Sequence, residues 1–252
     1  MACPLVSPPK GLMLGVLNLS QGQSALNHLD ILASSSVNGD MDESDSYGVM
    51  TEMIIEHRAI LGRRFIIFPQ LRLYWNPQAH GDRRSNIPDI GLGRLLPDGT
   101  RCLQGGAEQK AGIEAMRNFP DPVDIVNDPT LRAAMHEATL QASDQVKAAI
   151  KNGALPHDVP VKWIVAVGPY FTIRQFGPFN EADLITRGHR VNSSGDAEVA
   201  QFLGALKATS RSRPIAMPLF RIGTQDAAQA IHQYLWSNEV AQLYSSANRF
   251  QL

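Results

Sequence analysis

The spacing of apolar side chains divides the chain into helical and extended segments. From Gly48 to Leu61, apolar residues recur on one face at helical spacing, and Gly62 follows as a stop. The segment from Asp128 to Asn152 begins with Asp-Pro, is rich in Ala, Leu, Gln and Lys, and is followed by Gly153, which predicts the longest helix. Shorter helices are predicted over Ser24–Ala33, Gly195–Ala208, Thr224–Tyr234 and Ser237–Ala247.

Extended segments alternate with these helices. Arg64–Trp75 is rich in β-branched and aromatic residues, with Pro69 marking a break or an edge position. Val161–Val167 is a continuous apolar run, typical of a strand that is covered on both faces, and Tyr170–Phe176 extends the sheet. With a hairpin between residues 87 and 110, the order is helix, three strands, helix, strand and then a mainly helical tail, which predicts a mixed α/β fold.

This order predicts three regions. Residues 1–47 form an N-terminal segment that ends in an acidic loop, because Asp40, Asp42, Glu43 and Asp45 crowd a Ser/Gly/Asn-rich stretch. Residues 48–176 form the core, and residues 177–252 form a helical C-terminal extension that packs on it.

Composition and charge exclude few function classes. The 252 residues are 44% hydrophobic, enough for a sizeable core, and 23 Lys and Arg nearly balance 24 Asp and Glu. Between residues 58 and 101, however, eight arginines face three aspartates, a local net charge of +5. Such a segment attracts a phosphate backbone, although a mixed solvated surface explains it as well.

The chain has no features of a membrane or secreted protein. No apolar run is long enough to span a bilayer, and residues 1–18 lack the order of a secretory signal. Cys3 and Cys102 have no disulfide-framework or metal-ligand spacing, which suits a reducing compartment. We expect an intracellular location, cytoplasmic or nuclear, and no membrane partner.

The segment IPDIGLGRLLPDGTRCLQGGAEQK, residues 87 to 110, carries the candidate chemistry. Asp98-Gly99 is a strong signal for a two-residue hairpin turn. If it closes such a turn, paired residue numbers sum to 197, so Asp89 lies opposite Glu108 and Ile87 lies opposite Lys110. Because side chains alternate with period two, both acids and the lysine project from one face.

The glycines on this face suggest room for a ligand. Gly91 and Gly93 share the face of Asp89, and Gly106 lies opposite Gly91, while the other face carries the apolar stripe Ile90, Leu92 and Leu96. Glycines in a strand suit close approach of a ligand backbone, or else mark a bulge that shifts the register.

Two carboxylates directly across a strand pair repel each other unless something offsets the repulsion. Mg²⁺ or Mn²⁺ suits this role because both bind carboxylates, waters and substrate phosphate. Lys110 is then placed to orient or deprotonate an attacking water, or to stabilise charge on phosphorus. The alternative is a salt-bridge cluster on an exposed face, which contributes little stability.

Pro88-Asp89 followed by Glu108-Gln109-Lys110 resembles the signature of the PD-(D/E)xK nuclease superfamily, which has the restriction-endonuclease-like fold. The resemblance covers Gly48 to Phe176 and includes the order of elements; the chain is also similar in style to nuclease-like proteins of fungi. It implies metal-dependent hydrolysis of DNA or RNA, with Asp89 and Glu108 as metal ligands and Lys110 as a catalytic residue. Many nucleases of this fold are dimers, so a homodimer is a further expectation.

The resemblance also implies roles for residues outside the hairpin. Its first helix often supplies another catalytic acid, for which Glu56 is the candidate, and an ordinary surface glutamate is the alternative. A few members use a helix histidine as a ligand, but for His57, inside the apolar stripe, a core position is preferred. Substrate contacts are expected from Gln141 and Gln145 on the long helix, although glutamine is also an ordinary helix former. Further contacts are expected from Arg83 and Arg84 in the basic segment.

The approach to Glu108 departs from the family pattern. Members usually run apolar residues into this motif, whereas LQGGA precedes Glu108 here. The departure keeps open a second function, a catalytically inactive nuclease-fold module that binds nucleic acid or a protein. Other α/β enzyme classes lack support because the sequence has no GxxxxGK[ST], GxSxG or HExxH motif.

Overall fold

The computed structural model describes residues 19–38, 42–60, 66–74, 85–95, 101–180, 184, 206–208 and 217–235. The helices are α1 (Leu19–Asn38), α2 (Glu43–Ile60), α3 (Pro122–Ile125), α4 (Pro129–Lys151) and α5 (residues 225–235), with a 3₁₀ turn at Glu114–Met116. The strands are β1 (Ile66–Pro69), β2 (Leu73–Tyr74), β3 (Ser85–Asn86), β4 (Ile90–Leu95), β5 (Arg101–Lys110), β6 (Val161–Val167), β7 (Tyr170–Phe176), β8 (Leu206–Ala208) and β9 (Met217–Arg221).

Seven strands form one sheet in the order β1-β4-β5-β6-β7-β9-β8, and β2 pairs separately with β3. Neighbouring strands of the large sheet are antiparallel except for the pairs β5–β6 and β8–β9, which are parallel. The predicted mixed α/β class is confirmed. Among the described residues, no helix is long and apolar enough to cross a membrane.

Helices cover the sheet on two sides. Side chains alternate along the central strand β6, so Trp163 and Val165 join a core with α4, while Ile164 and Ala166 join a second core with α1, α2 and α5. All four residues are fully buried, as the continuous apolar run predicted.

The long helix α4 begins and ends where its sequence predicts. Asp128 is the N-cap, and its carboxylate accepts hydrogen bonds from the backbone N–H groups of Thr130 and Leu131 at 2.8 and 3.0 Å. Pro129 occupies the first turn, where its missing N–H costs nothing. After the helix, Gly153 adopts a φ of +69°, the left-handed conformation that favours glycine.

The prediction of an acidic loop is wrong from residue 43 onward, where α2 already begins. Asp42 caps the helix, because its side chain accepts a hydrogen bond from Asp45 N at 2.8 Å. Glu43 and Asp45 lie in the first turn, where negative charge interacts favourably with the helix dipole. The acids therefore start the helix. Residues 39–41 lie outside the described part of the chain.

The C-terminal region contributes strands as well as a helix. The helix predicted over Gly195–Ala208 is wrong for residues 206–208, which form β8, and the Pro-containing segment after it contains β9. Burial favours the strand: Leu219 of β9 is fully buried, and Phe220 pairs with Phe171 of β7. The helix predicted at Thr224 is present from 225 to 235, whereas that over Ser237–Ala247 lies outside the described residues.

Candidate active site

The hairpin has the predicted register at the end that carries the acids. Ile90 pairs with Ala107, and Gly91 pairs with Gly106, so the residue numbers sum to 197. Asp89 immediately precedes β4, and its Oδ2 accepts a hydrogen bond of 2.7 Å from Gln109 N on β5. The pairing therefore brings Asp89 beside the Glu-x-Lys end of β5.

A β-bulge separates this end of the hairpin from its turn. Leu92 pairs with Gly105 but Gly93 pairs with Leu103, so Gln104 is an extra residue on β5. Beyond the bulge the paired numbers sum to 196. The bulge that the glycines suggested is therefore present. It changes the sum of paired residue numbers from 196 on the turn side to 197 beside Asp89 and Glu108. The Asp98-Gly99 turn lies outside the described residues.

The glycines do not leave space for a ligand, which corrects the sequence interpretation. A Cβ on Gly106 would lie 2.3 Å from Cζ2 of Trp163, and one on Gly91 would lie 3.2 Å from Cδ2 of Leu103. The indole of Trp163 therefore fills the volume above Gly106. These glycines are needed for close packing of apolar side chains against the hairpin.

Glu108 is held by one cation and one amide. The Nζ of Lys110 lies 3.0 Å from its Oε1, and Gln145 donates a hydrogen bond to its Oε2. The Nε2 of Gln145 also donates to the carbonyl of Ile87 at 3.3 Å, which fixes the orientation of the amide. The Oε1 of Gln145 is buried and has no hydrogen-bond partner.

Lys110 makes a second contact on α4. Its ammonium donates a hydrogen bond to Oε1 of Gln141, whose Nε2 in turn donates to Oε1 of Glu137 at 3.4 Å. Gln141 and Gln145 are one helical turn apart, so α4 presents both amides to β5. The structure therefore brings together five of the predicted residues: Asp89, Glu108, Lys110, Gln141 and Gln145.

Gln109 fastens the site to the neighbouring strand. Its side chain is fully buried, and its Nε2 donates to the carbonyls of Lys110 and Gly168, both at 2.9 Å. Gly168 N donates to the Lys110 carbonyl at 2.9 Å. The residue between the two motif positions thus fixes the end of β5, a role that its polarity alone did not indicate.

Lys110 pairs with Glu108, as the salt-bridge alternative predicted, but the expectation that this pair lies on an exposed face is wrong. The side chain of Glu108 is 5% exposed and that of Lys110 is 18% exposed. Burial, followed by repulsion from Asp89, raises the pKa of Glu108 to about 7 although Lys110 and Gln145 oppose the shift. Burial likewise raises the pKa of Asp89, and repulsion from Glu43 adds to the shift.

Lys110 stays charged in this setting. Burial by itself lowers the pKa of its ammonium, but attraction to Glu108, Glu43 and Glu137 outweighs the desolvation, so the pKa is raised. Four carboxylates, those of Glu43, Asp89, Glu108 and Glu137, therefore act on a single ammonium.

The first-helix acid at this site is Glu43, while the predicted residue Glu56 lies elsewhere. The charge of Glu43 acts on both Asp89 and Lys110. Glu56 follows on the same helix, and thirteen residues correspond to about 20 Å along the axis. It lies instead beside His28 and Glu52. Glu43 was not considered as a candidate because the residues around it were interpreted as a loop.

His57 is a core residue, as preferred from its place in the apolar stripe. It is 3% exposed, and its Nδ1 lies 2.9 Å from Nε2 of His232 on α5. Burial and the neighbouring His232 lower the pKa of His57 to about 3, so the ring is neutral.

Two predicted substrate contacts, Arg83 and Arg84, lie outside the described residues.

Comparison of the chain with models of protein families, with curated proteins and with solved structures finds no match. The family resemblance therefore depends on Pro88-Asp89, Glu108-Gln109-Lys110 and the order of elements.

Proposed function

We propose that the chain hydrolyses phosphodiester bonds in DNA or RNA with the help of Mg²⁺ or Mn²⁺, on a restriction-endonuclease-like core. The observation that carries the proposal is the convergence of Asp89, Glu108 and Lys110 at the ends of adjacent strands. Burial of these charges is costly, so an arrangement that keeps them together favours a functional role over a structural one.

The donor set fits a hard divalent cation. Asp89 and Glu108 offer carboxylate oxygens, which Mg²⁺ and Mn²⁺ prefer, and these two residues would hold the ion. After burial, repulsion from Asp89 raises the pKa of Glu108 and repulsion from Glu43 raises the pKa of Asp89, and a bound cation relieves interactions of this kind. The buried, unpartnered Oε1 of Gln145 offers one more oxygen close to Glu108. When bound, the cation would lower the pKa of a water molecule and polarise the phosphate.

Lys110 acts as a cation in this scheme. Its raised pKa excludes the role of general base at neutral pH, which narrows the roles expected from the sequence. Its ammonium, aligned by Gln141, is available to stabilise negative charge that develops on the phosphoryl oxygens. Gln145 donates hydrogen bonds to both the Glu108 carboxylate and the Ile87 carbonyl, which keeps the carboxylate in one orientation.

One observation favours the alternative, an inactive module that binds nucleic acid or a protein. Both carboxylate oxygens of Glu108 already have partners, Lys110 and Gln145. A cation would have to share these oxygens or displace a partner. Under this alternative no metal binds at Asp89 and Glu108.

The test is a cleavage assay on end-labelled single-stranded and double-stranded DNA and RNA with Mg²⁺ or Mn²⁺. We expect cleavage of at least one substrate, loss of cleavage in EDTA, and a fall of about 100-fold or more in Glu108→Gln and in Asp89→Asn, because each loses a charged ligand. The matched control is Glu114→Gln, whose carboxylate is exposed and pairs with Arg117 across one turn.

The outcomes separate the two functions. Cleavage that persists in Glu108→Gln or in EDTA contradicts the proposed mechanism. Absence of cleavage of all four substrates, together with no calorimetric signal for Mn²⁺, contradicts the enzyme and supports the binding module.

A further inference from the structure

A second group of metal-ligand residues lies between α1 and α2. His28 comes from α1, and Glu52 and Glu56 come from α2, where they are one helical turn apart. One ligand atom from each residue lies within 4.8 Å of the others. We propose that these three side chains bind a Zn²⁺ ion that joins the two helices, at a site independent of Asp89 and Glu108.

The geometry requires only small side-chain movements. Ligands at about 2.1 Å around a tetrahedral zinc are roughly 3.4 Å apart. Nε2 of His28 and Oε1 of Glu52 are already 3.9 Å apart. Their side chains are 51% and 39% exposed, so rotations that bring the ligand atoms closer meet little steric resistance. The helices themselves hold the three residues on facing surfaces.

The sequence that precedes these carboxylates is acidic, and the first Lys or Arg after them is Arg58, near the end of α2. No Lys or Arg occurs from residue 11 to residue 57, a stretch that contains seven acids. Glu52 and Glu56 at i and i+4 repel each other, which destabilises a helix by a few tenths of a kcal/mol. A divalent cation between them reverses this interaction, and a ring nitrogen of His28 can supply a lone pair to it.

The donor set distinguishes this site from the one at Glu108. One imidazole nitrogen with two carboxylates is a set that Zn²⁺ accepts, whereas two carboxylates without nitrogen suit Mg²⁺. Three protein ligands leave a fourth position free. A surface cavity of about 380 Å³ adjoins the cluster, lined by Ser24, Ala25, His28 and Glu56, and provides room for a water ligand there.

The test is titration of the metal-stripped full chain with Zn²⁺ by calorimetry, and with Co²⁺ by visible absorption. We expect one Zn²⁺ per chain at this site and a Co²⁺ spectrum of four or five nitrogen and oxygen ligands. His28→Ala and Glu56→Gln should each weaken Zn²⁺ binding by at least about tenfold, because each removes a ligand. Circular dichroism checks that both variants keep their helices.

Two controls separate this site from other histidines and from the candidate active site. His157→Ala removes an exposed histidine on the loop after α4 and should leave Zn²⁺ affinity unchanged. Glu108→Gln should also leave it unchanged, whatever its effect on cleavage. The proposal is overturned if no Zn²⁺ binds, if His28→Ala binds as tightly as the parent chain, or if only Glu108→Gln removes binding.

Discussion

Two buried titratable clusters lie on opposite sides of the sheet, and burial shifts their pKa values in opposite directions. On the α4 side, the pKa of Glu108 rises to about 7, and on the other side, the pKa of His57 falls to about 3. In each case the main cause is desolvation, which disfavours the charged form. The difference lies in the counter-charge. Glu108 has Lys110 and more carboxylates around it, whereas the partner of His57 in the part of the chain that the structure describes is another neutral ring, His232.

This difference indicates which cluster has a structural role. A hydrogen bond between two neutral rings satisfies both groups inside an apolar core. Several carboxylates act on one ammonium among the described residues, an arrangement that is expected where a cation or substrate binds. The two clusters therefore predict opposite responses to pH and to the loss of charge.

The largest effect is expected from the histidines at low pH. An unfolded histidine has a pKa near 6.5, whereas burial lowers the pKa of His57 to about 3. The contribution of His57 to the free energy of unfolding is therefore complete above pH 6.5 and is lost as the pH falls toward 3. From pH 6.5 to about pH 4 the loss should be roughly 3 kcal/mol. Denaturant unfolding in EDTA measures it.

A double variant isolates this contribution. Replacing both His57 and His232 by Leu removes donor and acceptor together, so stability at pH 8 should change by only about 1 kcal/mol and the acid loss should shrink. If the double variant keeps the full acid dependence, the histidine pair is not its source. The exposed His157→Leu is the matched control.

A slightly smaller effect, of opposite sign, is expected for Glu108. Its folded pKa of about 7 exceeds the unfolded value of 4.5, so its contribution is complete below pH 4.5 and is lost as pH rises through 7. Relative to Glu108→Gln, the parent chain should lose roughly 2 to 3 kcal/mol between those pH values in EDTA. Parallel pH profiles of the two proteins would contradict the raised pKa.

Removing the ammonium of Lys110 should lower the free energy of unfolding by less than the pH changes do. Lys110→Met leaves buried carboxylates without their cation, and we expect a destabilisation of about 2 kcal/mol at pH 8. The comparison is Arg117→Met, which breaks the exposed 2.6 Å pair with Glu114 and should change the free energy of unfolding much less, because solvent screens an exposed pair. Equal losses in thermal or denaturant unfolding would show that burial does not govern these pairs.

The smallest effect is expected at the exposed group on α1 and α2. In EDTA, Glu56→Gln removes repulsion from Glu52 and should change the free energy of unfolding by less than about 0.5 kcal/mol. A loss above about 1 kcal/mol would mean that this carboxylate has a structural partner.

Local sequence signals predicted the parts of the fold that depend on neighbours in the chain. Asp128, Pro129 and Gly153 mark the ends of α4, and the run from Val161 to Val167 is β6. The secondary structure of the C-terminal region was predicted wrongly because β9 is stabilised by pairing with β7, a contact distant in sequence. Burial of Leu219 outweighed the proline signals beside it.

The candidate site was predicted where alternation along a strand determines it. Period two placed Glu108 and Lys110 on one face, and a helical repeat placed Gln141 and Gln145 on one side of α4. The first-helix acid could not be found in this way. Its identity depends on where α2 begins. The N-cap at Asp42 was not recognised because it lies in a Ser/Gly/Asn-rich stretch that is also typical of a loop.

The extra residue at Gln104 separates the two halves of the hairpin. Strand pairing on the turn side differs by one from strand pairing on the acid side. Deleting Gln104 would remove the bulge and make Leu92–Gly105 and Gly93–Leu103 neighbouring pairs of a regular ladder, so the register at Glu108 would be kept while the local bend of the strand would be lost.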